Sequence, residues 1–167
     1  NTGTGIIQGV EFVTGGQYDT LNAAFNVINT NAGNENTIVS GSSFHYCHDY
    51  CVYLSNANNL TINNNYFFVG QKFIAYAENV YQYNFTNNVL TGARNRSSME
   101  GSFTGDDIAC YSQYTALDWT TDNNYVQNNL CQGSGGTGFN FPHTPCNYLG
   151  SGLGFINNVA GTTQVGF

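Results

Sequence analysis

The chain has 167 residues, including 26 Asn, 20 Gly and 12 each of Tyr and Phe, and its ten acidic and three basic side chains give a net charge of −7. Lys72, Arg94 and Arg96 are too few cations to neutralise a phosphate backbone or to hold an anionic bilayer, so nucleic-acid binding and polybasic membrane attachment are excluded. No apolar run approaches the ~18 residues of a membrane-spanning helix, so no direct membrane insertion is expected of this segment. The acidic excess favours solubility rather than any particular partner.

In chain order, one six-residue pattern recurs: apolar, any, Gly or Asn, any, any, apolar. Its copies are IQGVEF from Ile7, VSGSSF from Val39, INNNYF from Ile62, FTNNVL from Phe85, VQNNLC from Val126 and a weaker FINNVA from Phe155, separated by 32, 23, 23, 41 and 29 residues. A second apolar segment follows each copy from Val39 on, at Cys51 (CVYL), Phe73 (FIAY), Ile108 (IACY), Phe139 (FNF) and Gln164 (QVGF). Short β-branched or aromatic segments bounded by Gly, Asn and Ser read as strands. The nearest approach to a helical stripe, YDTLNAAFNVINT, lacks caps and is interrupted by Asn.

Short strands returning every ~23 residues, with connections too short for crossover helices, predict stacked coils whose strands run in parallel sheets. The expected architecture is all-β, a single parallel β-helix over residues 1–167 of about six coils, with a long inserted loop at about 91–115. Aromatic content and regular apolar pairs oppose disorder. The amides then have a structural purpose. Asn tolerates the left-handed backbone of a sharp turn, and stacked amides in successive coils satisfy one another. Asn64, Asn87, Asn128 and Asn157 are assigned to this ladder, with Gly9 and Gly41 in the first coils.

Five cysteines leave one unpaired partner: Cys47, Cys51, Cys110, Cys131 and Cys146. Spacing does not fix the pairs; Cys131 with Cys146, closing a short loop around PHTPC, is the first expectation. In HYCHDYC a regular strand would put His45, Cys47, Asp49 and Cys51 on one face. The spacing matches no zinc motif, disulfides compete for the thiols, and His45 reads as a turn histidine, so no metal site and no cofactor are assigned.

For catalysis, the densest acidic group is Asp106–Asp107 near Glu100, and neighbouring strand residues point to opposite faces rather than converging on a glycosidic bond. No catalytic residue is assigned. The alternative to a structural role is a glycan-active lyase or hydrolase, or a carbohydrate-binding face built from Tyr46, Tyr50, Tyr53, Tyr66, Tyr76, Tyr81, Tyr83 and Trp119. Three N-glycosylation sequons, at Asn59, Asn84 and Asn95, agree with the cysteines and the scarcity of charge in suggesting an extracellular chain bearing N-linked glycans. The chain reads as a piece of a longer protein.

The ordered run of GVEFVTGGQ, then VSGSSFHYCHDYCVYLSNANNLTINNNYFFVGQKFIAYAENVYQYNFTNNVL, DNNYVQNNLCQGSGGTGFNF and NNVAGTTQVGF resembles fibrocystin and the fibrocystin-like proteins, whose relatives include hyaluronan-binding surface proteins. The resemblance implies a right-handed parallel β-helix in a large extracellular protein, often on ciliated cells, with a structural, adhesive or receptor-like role. YDTLNAAFNVINT has no histidine where the hyaluronan-handling branch has a His-rich stretch, which counts against hyaluronan depolymerisation. The expectation is a non-enzymatic module of a cell-surface, cilium-associated glycoprotein. Open coil ends must be covered, so self-association into filaments or contact with other surface proteins is also expected.

Overall fold

The computed structural model describes residues 5–17, 22–28, 36–94, 108–114, 124–140 and 153–161. Among these residues the structure is all-β, without a helix. The chain advances in successive layers. The first holds β1 (Ile6–Gln8), β2 (Glu11–Val13) and β3 (Phe25–Ile28), the second begins with β4 (Thr37–Ser40) and β5 (Ser43–Cys47). The long β6 (Val52–Asn63) finishes the second layer and starts the third, which continues with β7 (Tyr66–Gly70). The equally long β8 (Phe73–Thr86) leads into a fourth layer of β9 (Val89–Ala93) and β10 (Ala109–Tyr114). Then come β11 (Asn124–Gln127), β12 (Leu130–Gln132) and β13 (Thr137–Asn140), and finally β14 (Leu153–Ile156) and β15 (Val159–Gly161).

Every strand pairing is parallel, and the strands form two sheets. One contains β2, β5, β7, β9, β12 and β15; β6 and β8, each long enough to turn a corner, join the remaining strands into the other. The register superimposes the copies of the six-residue pattern. Ile7, Val39, Ile62, Phe85, Val126 and Phe155 form one column. Phe12, Phe44, Phe67, Leu90, Cys131 and Ala160 form a second. A third runs through Phe25, Val52, Ala75, Tyr111 and Phe139.

These columns face the interior and make the core, because alternate residues of a strand point to opposite sides. Phe12 stacks on Phe44 with ring centroids 4.5 Å apart, and Phe44 on Phe67 at 4.9 Å. Each fully buried aromatic of this kind contributes roughly 2–3 kcal/mol of transfer free energy. At the two ends the columns thin out: Ile7, Phe12, Phe25, Phe155 and Ala160 are only partly buried.

The corner between the two strands of the pattern has one backbone geometry throughout. Gly9, Gly41, Asn64, Asn87, Asn128 and Asn157 all have φ between 54° and 63°. The expected turn conformation is therefore present at those residues. The expected amide stacking is not. The side chains of Asn64, Asn87, Asn128 and Asn157 are exposed, and the hydrogen-bonded ladder runs one residue later, through Ser42, Asn65, Asn88, Asn129 and Asn158. The left-handed turn swings the first Asn outward and the next one inward beneath the sheet.

The inserted loop is also narrower than expected. Thr91 to Ala93 belong to β9, and the 109–114 end is β10, so only residues 94–108 separate the strands. YDTLNAAFNVINT supplies β3 from its Phe25–Ile28 portion. QVGF lies outside the described residues.

Candidate functional site

The outer face of the β2–β5–β7–β9 sheet gathers the most distinctive exposed group. Tyr66 and Phe68 are two residues apart on β7, so both point outward, with rings within 12° of parallel and centroids 6.2 Å apart. His45, one layer earlier, meets Tyr66 and Phe68 edge-on at 6.1 and 6.3 Å, and its Nε2 lies 3.5 Å from Glu11 Oε1. Tyr46 closes the group at 5.5 Å from Phe68, and Thr91 Oγ1 donates to the Tyr66 hydroxyl at 3.3 Å. Tyr46 remains 53% exposed and Tyr66 40%, which leaves flat aromatic surface beside hydroxyl, imidazole and carboxylate groups. His45 is thus a strand residue on the outer face, not a turn histidine.

HYCHDYC does not converge as a ligand set. Tyr46 has φ 54° and Asp49 φ 64°, which breaks the strand alternation. His45 consequently points out while Cys47 points in, and Cys47 is bonded to Cys51 in a buried disulfide. The second disulfide joins Cys110 to Cys131 and ties β10 to β12. That corrects the expected Cys131–Cys146 pair: β-layer stacking brings Cys110 and Cys131 to opposite walls of the same interior, a proximity that spacing in sequence does not reveal. Cys146 lies outside the described residues. Among those residues no three His, Cys, Asp or Glu side chains are grouped to hold a metal ion.

A second aromatic group packs on the outside of β6 and β8. Tyr53 and Tyr76 stack at 5.8 Å, within 2° of parallel, against Tyr50 and Phe73. Lys72 Nζ sits 5.9 Å from the Tyr50 ring and 5.7 Å from that of Phe73, a cation–π arrangement. The Tyr53 hydroxyl donates to Glu78 Oε2 at 3.2 Å, and burial first, then the nearby Glu78 charge, raises its pKa. Tyr50 and Tyr53 are nearly buried, so this group is packing rather than a platform.

Inside the core, Tyr83 and Tyr111 are fully buried, and desolvation holds both phenols protonated well above the ordinary range. Of the sequons, Asn59 and Asn84 are partly buried strand residues; Asn59 has φ 53°, and Asn84 stands between Thr61 and Tyr125 of the adjoining layers. Asn95, Arg96, Glu100, Asp106, Asp107 and Trp119 lie outside the described residues.

The residues missed from sequence are Asn65, Asn88, Asn129 and Asn158. A signal for them existed: Gly9 and Gly41 occupy the aligned position of Asn64, which marks that position as the left-handed corner and the next as the ladder. No family model, no curated protein and no solved structure matches the chain.

Proposed function

We propose that the chain is a stretch of right-handed parallel β-helix serving as a non-enzymatic structural and adhesive module of an extracellular glycoprotein, of the fibrocystin-like kind. Crossover connections between parallel strands of one sheet are overwhelmingly right-handed, which favours that handedness here. The observation that carries the role is the interior. Apolar columns and a hydrogen-bonded amide ladder run through the layers, an arrangement that confers rigidity on an elongated scaffold. Two disulfides fit an oxidising, extracellular setting.

Intact-mass and glycopeptide mass spectrometry on natively purified protein, reduced and unreduced, tests this reading. Glycans on Asn59, Asn84 or Asn95 together with the Cys47–Cys51 and Cys110–Cys131 peptides support it. Bare asparagines and free thiols overturn the extracellular assignment and leave the β-helix untouched.

The Tyr66–Phe68 face favours one second reading, a carbohydrate-binding module, because the exposed rings of Tyr46 and Tyr66 beside hydroxyls suit the faces of sugar rings. Glycan-array binding that disappears in Tyr66→Ala would support it, and an array without signal would remove it.

A further inference from the structure

The outward residues of the sheet that contains β5, β7, β9 and β12 form two columns along the stack. Tyr66, Val89 and Leu130 follow Glu11 and Ser43 in one, and His45, Phe68, Thr91 and Gln132 follow Val13 in the other. From Tyr66 to Leu130 the first column is aromatic or aliphatic in each layer, and both of those residues are exposed. The preceding wall differs. Its outward column reads Gln8, Ser40, Asn63, Thr86 and Gln127, polar in every one of those layers. Exposed apolar surface gathered on one wall marks a contact face.

A second left-handed corner bounds this sheet on its far side. The residue after the second column has positive φ in five successive layers: Thr14 at 56°, Tyr46 at 54°, Val69 at 60°, Gly92 at 75° and Gly133 at 71°. Glycine adopts that conformation freely, whereas the β-branched Thr14 and Val69 and the bulky Tyr46 hold it under strain. Strain of this kind gathers at ligand-binding positions. Here it flanks the aromatic group. The Tyr46 ring stands 78° from that of Phe68, whose plane is within 12° of Tyr66, so the two exposed tyrosines meet solvent at a steep angle to each other.

We infer that this face binds a linear, uncharged polysaccharide of β-linked pyranoses, lying across successive layers along the stack. Each strand offers two outward positions, about 7 Å apart, before a corner on either side, whereas the layers repeat every ~4.8 Å. A strip so narrow does not suit a globular partner, which needs about 800 Å² of surface on each side. An extended peptide gains from main-chain bonds at a free sheet edge, and β5, β7, β9 and β12 are paired on both edges. An acidic polymer would meet no countercharge. Among the described residues neither column holds a Lys or Arg, Glu11 is a carboxylate, and the chain carries a net charge of −7. A β-linked pyranose with equatorial hydroxyls instead offers apolar ring faces to Tyr46, Tyr66 and Leu130, and hydroxyls at its rim to Glu11, His45 and Thr91. The inference rests on the carbohydrate-binding reading of this face and adds the charge, shape and direction of the ligand.

Isothermal titration calorimetry on the whole chain tests it. The probes are cellohexaose and chitohexaose, each beside its own disaccharide, and a hexasaccharide of hyaluronan. A neutral hexasaccharide should bind about tenfold more tightly than its disaccharide, and about tenfold more tightly than the hyaluronan fragment. Tyr66→Ala should weaken both lengths about tenfold. Leu130→Ser, two layers further along the strip, should weaken the hexasaccharide about threefold and leave the disaccharide unchanged. Gln127→Ala, on the polar wall, should change neither. Denaturant midpoints matching that of the natural chain establish that the variants fold. A disaccharide bound as tightly as its hexasaccharide, a hyaluronan fragment bound as tightly as the neutral probes, or a Leu130→Ser variant equal to the natural chain would overturn the inference and leave carbohydrate binding in place. Absence of binding by every probe would remove both.

Discussion

Asn88 Oδ1 accepts two hydrogen bonds from a single residue one layer away, the backbone N–H of Asn65 at 3.0 Å and its side-chain Nδ2 at 3.1 Å. Asn88 Nδ2 in turn donates to Ile62 O at 2.9 Å and to Asn129 Oδ1 at 3.1 Å, so one buried amide joins three layers. Its neighbour Asn87 is exposed and contributes a left-handed corner with φ 56°.

That contrast separates two otherwise identical substitutions. Asn88→Ala leaves several buried donors and acceptors unmet and should destabilise by about 3–5 kcal/mol. Asn87→Ala forfeits only the tolerance of Asn for positive φ and should cost about 1 kcal/mol. Denaturant midpoints of the two variants measure the difference; equal losses would show that the ladder is not what holds the layers in register.

Glycine positions divide in the same way. Gly16 has φ 87°, and an added Cβ would lie 2.6 Å from His48 O and 2.9 Å from Asn22 O, both of them backbone. Gly16→Ala should therefore destabilise by roughly 2–3 kcal/mol, through strain and a clash that no side-chain motion relieves. Gly41 has φ 57° with open space around it, and Asn stands at the aligned corner of later layers. Gly41→Asn should be neutral or raise stability by a few tenths of a kcal/mol, which thermal unfolding of the two variants will check.

Alkaline stability should report the buried phenols. Tyr83 and Tyr111 keep their protons in the folded chain above the ordinary value of 10.0, where an unfolded chain releases them. The folded state binds more protons in that window, so stability is complete below about pH 10 and falls as pH rises beyond it, by about 1.4 kcal/mol per pH unit for each phenol. Tyr111→Phe should reduce that slope by about half. Denaturant titrations from pH 8 to 11 give the slope directly, and a slope indifferent to the substitution would mean that other groups govern alkaline unfolding.

The two disulfides should differ in weight. Cys110 and Cys131 are 21 residues apart and Cys47 and Cys51 only 4, so chain-entropy arguments assign about 3 and about 2 kcal/mol respectively. The Cys110→Ala/Cys131→Ala variant should consequently unfold at lower denaturant than Cys47→Ala/Cys51→Ala. Both bridges are buried, so reductant should act on the native chain only through opening.

Much of the fold was written in a local pattern. Apolar residues at Ile7, Val39, Ile62, Phe85, Val126 and Phe155, each followed five residues later by Phe12, Phe44, Phe67, Leu90, Cys131 and Ala160, fall into two continuous interior columns, because parallel stacking superimposes equivalent positions of a repeat. Positive φ at the Gly and Asn corners follows from the intrinsic tolerance of those residues and was equally legible.

Three features were decided only in three dimensions. Which Asn of each pair turns inward depends on where the corner falls, and Asn64 and Asn65 are indistinguishable as residue types. Cys110 meets Cys131 because two walls of the interior face each other across layers. His45, Tyr66 and Phe68 form one surface only because β5 and β7 lie side by side, 23 residues apart in sequence at His45 and Phe68 but paired in register. In each case the partner is fixed by the stacking of layers, a long-range relation, whereas the sequence by itself fixes which residues are buried, which turn, and how far apart the layers recur.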